Sequence, residues 1–338
     1  MAAESEEEYL KLKTDYDEKR EKLNKSRCGL DIEFNHSTSS IIELSKKYHY
    51  ILAYYKADRI FQAVEPKHVE KVQFKERYGL TEFPRSEFVK YLLDLKMTEA
   101  LARNSKKTEK ADEIQKWFES LEQLLKQIFA DETVQLIFDE DTFGFHILQR
   151  EKEPFDFNTL SGGYQAVLDI VLDLMMRMQK QTQRSFSFHL PGIVLIDEIE
   201  THLHLELQKN IMPMLTFMFP NIQFIVTSHS PFILNSLENA VIYDLENRLL
   251  VREGLENIPY DGIVEGYFGA DKLSNILKRK FGRYKELTEK ERLSDDELNE
   301  IAELELYLDE IPDYLGLDIA TEYERLKLEF MNREDIDG

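Results

Sequence analysis

The nine residues GIVLIDEIE, residues 192–200, decide the fold that the sequence predicts. The first five residues are apolar without interruption, and the run ends in two adjacent acids, Asp197 and Glu198. Unbroken apolar runs of this length are typical of a parallel strand that is covered on both faces. Open α/β sheets bind their ligands beyond the carboxyl ends of the strands. The two acids are therefore predicted to lie at a ligand site.

Other segments of the chain predict the neighbours of this strand. Residues 222–230, IQFIVTSHS, predict a second buried strand that ends in a polar turn, and residues 50–55 predict a third one flanked by tyrosines. Residues 161–181 and 201–219 have helical patterns, the latter with an expected kink or break near Pro213. The alternation of strands and helices predicts a parallel α/β core with right-handed connections.

The rest of the chain predicts additional layers around this core. Residues 1–30 are predicted to form an N-terminal helix, and residues 31–254 the core. A helical insertion is expected at about residues 85–130, with Ser86 and Thr108 capping its two helices. Residues 255–338 are acidic and helical in pattern, and they predict a C-terminal helical extension.

Composition narrows the class of protein. The 43 basic and 65 acidic residues give a formal net charge of −22, so a uniform basic surface for nucleic acid is absent. The single cysteine, Cys28, rules out an intrachain disulfide framework and fits a reducing compartment. No segment reads as a secretory signal or a membrane span. The sequence predicts a soluble cytoplasmic protein without a membrane partner.

The segment LSGG, residues 160–163, precedes an amphipathic helical pattern. Its glycines allow the backbone to approach an anion closely, and Ser161 offers a hydroxyl donor. The N-terminal end of the following helix carries partial positive charge. The segment therefore predicts contacts from Ser161, Gly162 and Gly163 to the terminal phosphate of a nucleotide.

Three polar side chains on the predicted strand ends suit nucleotide hydrolysis. Asp197 can hold Mg²⁺ through its water shell, and Glu198 beside it can activate an attacking water. His229, after the second strand, can donate a hydrogen bond to a γ-phosphate. Ser161 precedes Asp197 by 36 residues, and Asp197 precedes His229 by 32. This order on these elements indicates a nucleotide-hydrolysing site.

A metal-dependent hydrolase is the competing interpretation of the same residues. Its metal ligands would be Asp197, Glu198, Glu200, His202 and His204. The two histidines are two residues apart, whereas a zinc-binding helix carries them four apart. The sequence therefore favours the nucleotide site.

The segments LSGGYQ, VLIDEIETHLH and FIVTSHSPFIL resemble the signature motif, the Walker B motif with its D-loop, and the switch histidine of ABC-class ATPases. More narrowly, they resemble the AAA-type, SMC-like ATPases of bacterial defence systems, including the overcoming-lysogenization-defect and Septu types. The segment ILAYYKADR is similar to a Tyr-Tyr-x-x-x-Arg stretch of that family, but the role of its Arg59 stays unassigned. The resemblance covers residues 45–330 and implies a P-loop NTPase-like (ABC ATPase) core with ATP and Mg²⁺ as cofactors.

The family resemblance also implies roles and partners. Asp197 would position Mg²⁺, Glu198 would be the general base, and His229 would be the switch residue. Residues 161–163 would contact ATP held by a second ATPase subunit in a head-to-tail dimer, across which residues 201–204 would form the D-loop. Family members often control an effector nuclease, so nucleic acid would be involved only indirectly.

The sequence lacks the other half of such a site. None of its thirteen glycines belongs to a Gly-x-x-x-x-Gly-Lys-Ser/Thr phosphate loop. We therefore expect that the Walker A lobe is missing from this chain and that a separate lobe or partner completes the site. The alternative is a catalytically inactive interaction module that docks an effector protein. Residues 262–272 only faintly resemble a Toprim nuclease, and an ordinary turn is favoured there.

Overall fold

The structure is a computed structural model of the chain. It describes residues 13, 14, 16, 18, 19, 37–252, 254, 255, 257, 258, 260–267, 275–290, 292–309 and 317–332. The predicted N-terminal helix, residues 1–30, lies outside the described residues except for those first five positions, which have helical backbone. Among the described helices, none has an apolar stretch long enough to span a bilayer.

The described chain divides into two compact units. The first unit comprises Met1–Leu207 and Pro213–Ser228, and the second comprises Gln208–Met212 and His229–Gly338. The domain boundaries expected from the sequence at residues 30 and 254 stay predictions.

The described elements of the first unit alternate between helices and strands. In chain order they are α1 (Thr38–Lys46), β1 (Ile51–Tyr55), a 3₁₀ turn (Pro84–Glu87), α2 (Phe88–Asn104), α3 (Thr108–Phe129), β2 (Gln135–Phe138), β3 (Phe145–Leu148), α4 (Gly162–Met178), β4 (Gly192–Ile196), α5 (Leu205–Met218) and β5 (Ile222–Val226). Residues 208–212 of α5 belong to the second unit.

A three-stranded parallel sheet forms the centre of the first unit. Its strand order is β1-β4-β5, so the predicted strand of residues 192–196 lies in the middle. Gly192 is needed there, because a Cβ on it would collide with the backbone oxygen of Ile51. The parallel sheet with flanking helices confirms the predicted α/β fold class.

The prediction that the strand of residues 192–196 is covered on both faces is not met within the described residues. One face is buried and packs on α4, with Ala53, Tyr55, Val194 and Ile196 each at most 2% exposed. The alternate residues point to the other face and remain 37–51% exposed; they are Leu52, Tyr54, Leu195 and Ile225. We call this second set of four the open face of the sheet.

The helical insertion is present as the antiparallel pair α2 and α3. Apolar residues at helical spacing pack the two helices together, and Leu92, Leu121 and Leu125 are fully buried. The predicted caps are wrong: Ser86 lies inside the 3₁₀ turn that Pro84 begins, and α3 begins after Lys107 without a side-chain cap. Proline suits the first position of such a turn because its φ is already helical.

Helix α4 is buried almost all round, including polar side chains. Its Asp173 accepts hydrogen bonds from the Tyr55 hydroxyl at 2.8 Å and from Arg177 Nε at 2.6 Å. Buried charges persist when they are paired and hydrogen-bonded. This network fixes α4 against β1, and it therefore fixes the start of α4 beside the carboxyl edge of the sheet.

The second unit has its own small elements and a helical core. In chain order its described elements are α6 (Pro231–Leu234), β6 (Ile242–Asp244), β7 (Leu249–Val251), α7 (Tyr260–Gly262), a π-helical turn (Ile263–Tyr267), α8 (Asn275–Thr288), α9 (Asp295–Asp309) and α10 (Leu317–Met331). Strands β6 and β7 pair as an antiparallel hairpin that forms a separate two-stranded sheet. Tyr284 and Tyr323 lie in the apolar core of α8–α10.

Candidate functional site

The acidic turn, residues 197–200, extends directly from the carboxyl end of β4. The Asp197 amide donates to the Tyr55 carbonyl at 2.9 Å, and the Thr227 amide donates to the Ile196 carbonyl at 3.0 Å. The Asp197 Oδ1 atom accepts a hydrogen bond from the Thr227 hydroxyl at 2.7 Å. The turn is thus tied to both neighbouring strands, at the sheet edge where the sequence predicted it.

Glu198 has an unusual backbone conformation. Its φ is 43°, in the left-handed region that non-glycine residues seldom occupy. Its amide donates to the Thr227 hydroxyl at 2.8 Å, and its Oε2 accepts from the Thr201 hydroxyl at 3.2 Å. Its side chain is exposed, whereas Ile199 beside it is fully buried. This geometry presents the Glu198 carboxylate to solvent on a fixed backbone.

Arg59 binds the backbone of the same turn and is only 3% exposed. Its Nη1 donates to the Asp197 carbonyl at 2.7 Å, and its Nη2 donates to the carbonyls of Glu198 and Ile199 at 3.0 Å each. Burial lowers the pKa of Arg59, and nearby carboxylates, led by Asp169, oppose that shift. Sequence reasoning noticed this arginine but gave it no role, because its partners lie about 140 residues away.

The segment before α4 is held by side chains as well. Asn158 accepts from the Ala63 amide at 2.8 Å and donates to the Ala63 carbonyl at 3.2 Å. Ser161 is the N-cap of α4, is exposed, and makes no capping hydrogen bond with its side chain. A hydroxyl that is not used as a cap is available to a ligand at the positive end of the helix.

Gly163 brings the start of α4 against the residues that follow the acidic turn. A Cβ on Gly163 would lie 2.9 Å from the His202 carbonyl oxygen and 3.4 Å from Leu207 Cδ1. The ring of Tyr164 also meets the ring of His204 edge to face, at 5.9 Å between centroids. The first unit therefore packs the predicted phosphate segment, residues 160–163, against the predicted D-loop, residues 201–204.

His229 is the first residue of the second unit after β5, and its side chain is exposed. Ser230, next to it, accepts from the amides of Phe232 and Ile233 and donates to Gln208 Oε1 at 2.6 Å. These bonds start α6 directly after His229. Its predicted role at a phosphate stays a prediction.

The side chains of this site bear on whether it can hold a metal ion. Among the described residues, no three His, Cys, Asp or Glu side chains come together to hold a metal ion. The residues of the competing hydrolase interpretation thus form no ligand cage. A half-buried Asp197 fits Mg²⁺, which takes one or two carboxylates and keeps water and phosphate oxygens as its other ligands.

Comparisons with known proteins identify the class of domain. Residues 73–235 match the family described as "AAA domain, putative AbiEii toxin, Type IV TA system". Over this stretch, slightly less than half of its length, the chain is similar to an AAA-type domain. The match includes every predicted site residue from Ser161 to His229, whereas Arg59 lies before it. The predicted P-loop NTPase-like α/β class of the fold is confirmed.

Relatives of this ATPase domain include named bacterial proteins. The "Septu protein PtuA" of Bacillus mycoides (strain KBAB4) is 36% identical over 39% of this chain and 18% of that protein. The "Retron Ec83 probable ATPase" of Escherichia coli is 29% identical over 59% of this chain and 35% of that protein. The chain thus spans about a fifth to a third of the length of these relatives. A solved Smc head structure is 19% identical over 50% of each chain, with a TM-score of 0.30.

Proposed function

We propose that this ATPase domain hydrolyses ATP with Mg²⁺ and that Asp197 and Glu198 do the chemistry. The observation that carries this proposal is the acidic turn at the carboxyl end of the central parallel strand. Ligands of open α/β sheets bind at this edge. The turn presents one carboxylate bonded to Thr227 and a second one exposed beside it.

Asp197 would hold the magnesium ion. Mg²⁺ bound there would neutralise charge that develops on the phosphate oxygens. The hydrogen bond from the Thr227 hydroxyl to Oδ1 fixes the rotamer of Asp197 and leaves Oδ2 for the water shell of the ion. Asp197 therefore acts by binding and orienting, without transferring a proton.

Glu198 would accept the proton of the attacking water. A general base must reach the water from a fixed position, and contributions of about 10²–10⁴-fold in rate are usual. The bonds to its amide and carbonyl fix the backbone of Glu198, and the hydroxyl of Thr201 orients its carboxylate. A carboxylate so placed is oriented before the substrate arrives.

Ser161, Gly162 and Gly163 would contact the γ-phosphate of ATP held by a second ATPase subunit, in a head-to-tail dimer. Support comes from Ser161 at the start of a 17-residue helix, because its hydroxyl makes no capping hydrogen bond. His229 would donate a hydrogen bond to the γ-phosphate, as its place in the sequence motif suggests.

The β- and γ-phosphates would also need a Walker A loop, and these 338 residues contain none. We infer that a separate lobe or a partner supplies it. The open face of the sheet supports this inference, because parallel sheets bury both faces. A complementing segment with an apolar surface could cover Leu52, Tyr54, Leu195 and Ile225.

The biological setting is inferred from the names of the relatives. The Septu protein PtuA and the retron Ec83 probable ATPase match 39% and 59% of this chain. We propose that the chain acts in the cytoplasm of a bacterium in a defence system, where its ATPase cycle controls an effector, such as a nuclease. Contact with nucleic acid would then pass through that effector.

Glu198→Gln is the first variant to make. The purified chain is titrated with a fluorescent ATP analogue and Mg²⁺, alone and co-expressed with a Walker A-bearing polypeptide, and phosphate release is measured. We expect the chain alone to bind no nucleotide up to the millimolar range. The co-expressed complex should hydrolyse ATP, and Glu198→Gln should lower kcat at least 100-fold while ATP binding persists.

Control variants separate the roles in this experiment. Asp197→Asn should raise the Mg²⁺ concentration that activity requires and should also lower kcat. Glu206 is an exposed acid on α5, and Glu206→Gln should change neither quantity. A complex that binds ATP but never hydrolyses it would contradict the proposal and favour the inactive docking module. Tight Mg²⁺-dependent binding by the chain alone would show that the inferred need for a Walker A partner is wrong.

A further inference from the structure

We propose that Arg59 is a positioning residue that sets the shape of the acidic turn. The inference rests on the proposed function only for the catalytic role of the acidic turn. The contacts between Arg59 and the turn do not depend on that role. The hydrogen bonds of Arg59 go to backbone carbonyls and not to the side chains of the proposed catalytic pair. Arg59 acts through the backbone that carries them.

The contacts of Arg59 form one fork over four carbonyl groups. Nη1 donates to the carbonyls of Lys56 at 2.8 Å and Asp197 at 2.7 Å. Nη2 donates to the carbonyls of Glu198 and Ile199, each at 3.0 Å. Three consecutive carbonyl oxygens converge on one cation, which a planar guanidinium can satisfy and a lysine ammonium can satisfy only in part.

The turn needs such a cation for two reasons. Converging carbonyl dipoles repel one another in a buried site unless a positive charge faces them. Glu198 also holds a positive φ of 43°, a conformation that persists only where the surroundings fix it. The bond from Arg59 to the Glu198 carbonyl fixes one side of that residue, and the bond from its amide to Thr227 fixes the other.

The segment that contains Arg59 also reaches the phosphate segment of α4. Four residues after Arg59, the backbone of Ala63 pairs with the Asn158 side chain through both its amide and its carbonyl. Phe61, between them, is 1% exposed and packs on Phe157. Residues 59–63 thus connect the acidic turn to the segment that leads into Ser161. We infer that this connection keeps the two halves of the site at a constant spacing.

The test compares Arg59→Gln and Arg59→Lys with Arg177→Gln. Arg177 is a matched control because it is also 3% exposed and also donates to backbone carbonyls, in its case those of Leu52, Gly79 and Glu82. None of its partners lies in the acidic turn. Hydrogen exchange is measured on the chain without nucleotide, at the amides of residues 197–199, and compared with exchange in α2 and α3.

We expect Arg59→Gln to speed exchange at residues 197–199 at least tenfold, with little change in α2 and α3. Arg59→Lys, which keeps the charge, should restore part of the protection. Arg177→Gln should lower the melting temperature without selective exchange in the turn. The proposal would be overturned if residues 197–199 exchanged at the same rate in Arg59→Gln and in the unchanged chain. It would also be overturned if Arg59→Gln increased exchange equally in the turn and in α2 and α3.

A second readout uses the complex that hydrolyses ATP. Arg59→Gln should lower kcat about tenfold or more and shift the Mg²⁺ titration to higher concentration, with the KM for ATP nearly unchanged. A loss of ATP affinity with normal kcat would also overturn the positioning role. If the unchanged complex hydrolyses no ATP, the proposed function fails, and the exchange experiment still decides the role of Arg59.

Discussion

Two adjacent glycines at the start of α4 have different surroundings, although the sequence predicted the same role for both. A Cβ on Gly162 would have only His202 Cβ near it, at 3.9 Å. A Cβ on Gly163 would press on the His202 carbonyl oxygen at 2.9 Å. The backbone of residue 202 cannot move away as a side chain could. Gly163 is therefore a packing requirement as well as a candidate phosphate contact.

Gly163→Ala should lower the free energy of unfolding by about 1–3 kcal/mol, because the new methyl group overpacks a close backbone contact. Gly162→Ala should change it by less than about 0.5 kcal/mol, as an exposed position does. Denaturant unfolding of the two variants checks this difference. Equal stability of both variants would show that the approach of α4 to residue 202 is looser than the structure has it.

Asp169 on α4 gives a prediction about pH. Burial raises its pKa to about 6, although Arg85 opposes the shift. The folded chain then binds this proton more tightly than the unfolded chain does. Stability from Asp169 is therefore present below about pH 4 and is lost as the pH rises to 6.

The variant Asp169→Asn removes this titration. The free energy of unfolding of the unchanged chain, minus that of the variant, should fall by about 1–3 kcal/mol between pH 4 and 6.5. It should be level above that range. The difference is measured by denaturant unfolding at several pH values, and a difference that stays constant from pH 4 to 6.5 would refute the raised pKa.

At the scale of elements, α5 meets its prediction in part. The sequence indicated a kink or break near Pro213, and the helix runs without a break from Leu205 to Met218 with Pro213 inside it. Proline in a helix interior removes one backbone hydrogen bond and crowds the preceding turn. Helix α5 continues through Pro213 in spite of that cost.

Pro213→Ala should therefore raise the free energy of unfolding by about 1–3 kcal/mol. Pro231→Ala is the matched control, because Pro231 is the first residue of α6, where proline is favourable. That variant should be neutral or slightly destabilised. Thermal unfolding of both variants tests the contrast, and a destabilised Pro213→Ala would mean that packing of the proline ring outweighs the lost hydrogen bond.

Local sequence patterns predicted which helices and strands exist. They predicted less well where the helices begin and what packs against the sheet. The pair α2 and α3 and the strand β4 lie where the sequence indicated. The caps failed at Ser86 and Thr108, because Pro84 starts a 3₁₀ turn first and Lys107 occupies the N-cap position. An apolar run such as residues 192–196 indicates that both faces of a strand can be buried. It does not indicate which segment packs on each face.

At the scale of the whole molecule, the site could be predicted only in part. Asp197 and Ser161 were predicted because each belongs to a short pattern on one element. The order of the sheet joins β1 to β4 across about 140 residues, and Arg59 joins the acidic turn over the same separation. Such long-range pairs leave no periodic signal in a single sequence. The geometry of His229 relative to the acids stays a prediction for the same reason.

The left-handed backbone of Glu198 sets the stability of the chain against the proposed chemistry of this residue. Glycine adopts that φ at little cost, so Glu198→Gly relieves strain but deletes the carboxylate. A directed-evolution campaign that screens only for heat resistance would tend to enrich glycine or asparagine at this position. Engineers who want a sturdier form of this domain should therefore hold residue 198 constant in their libraries and search for gains elsewhere.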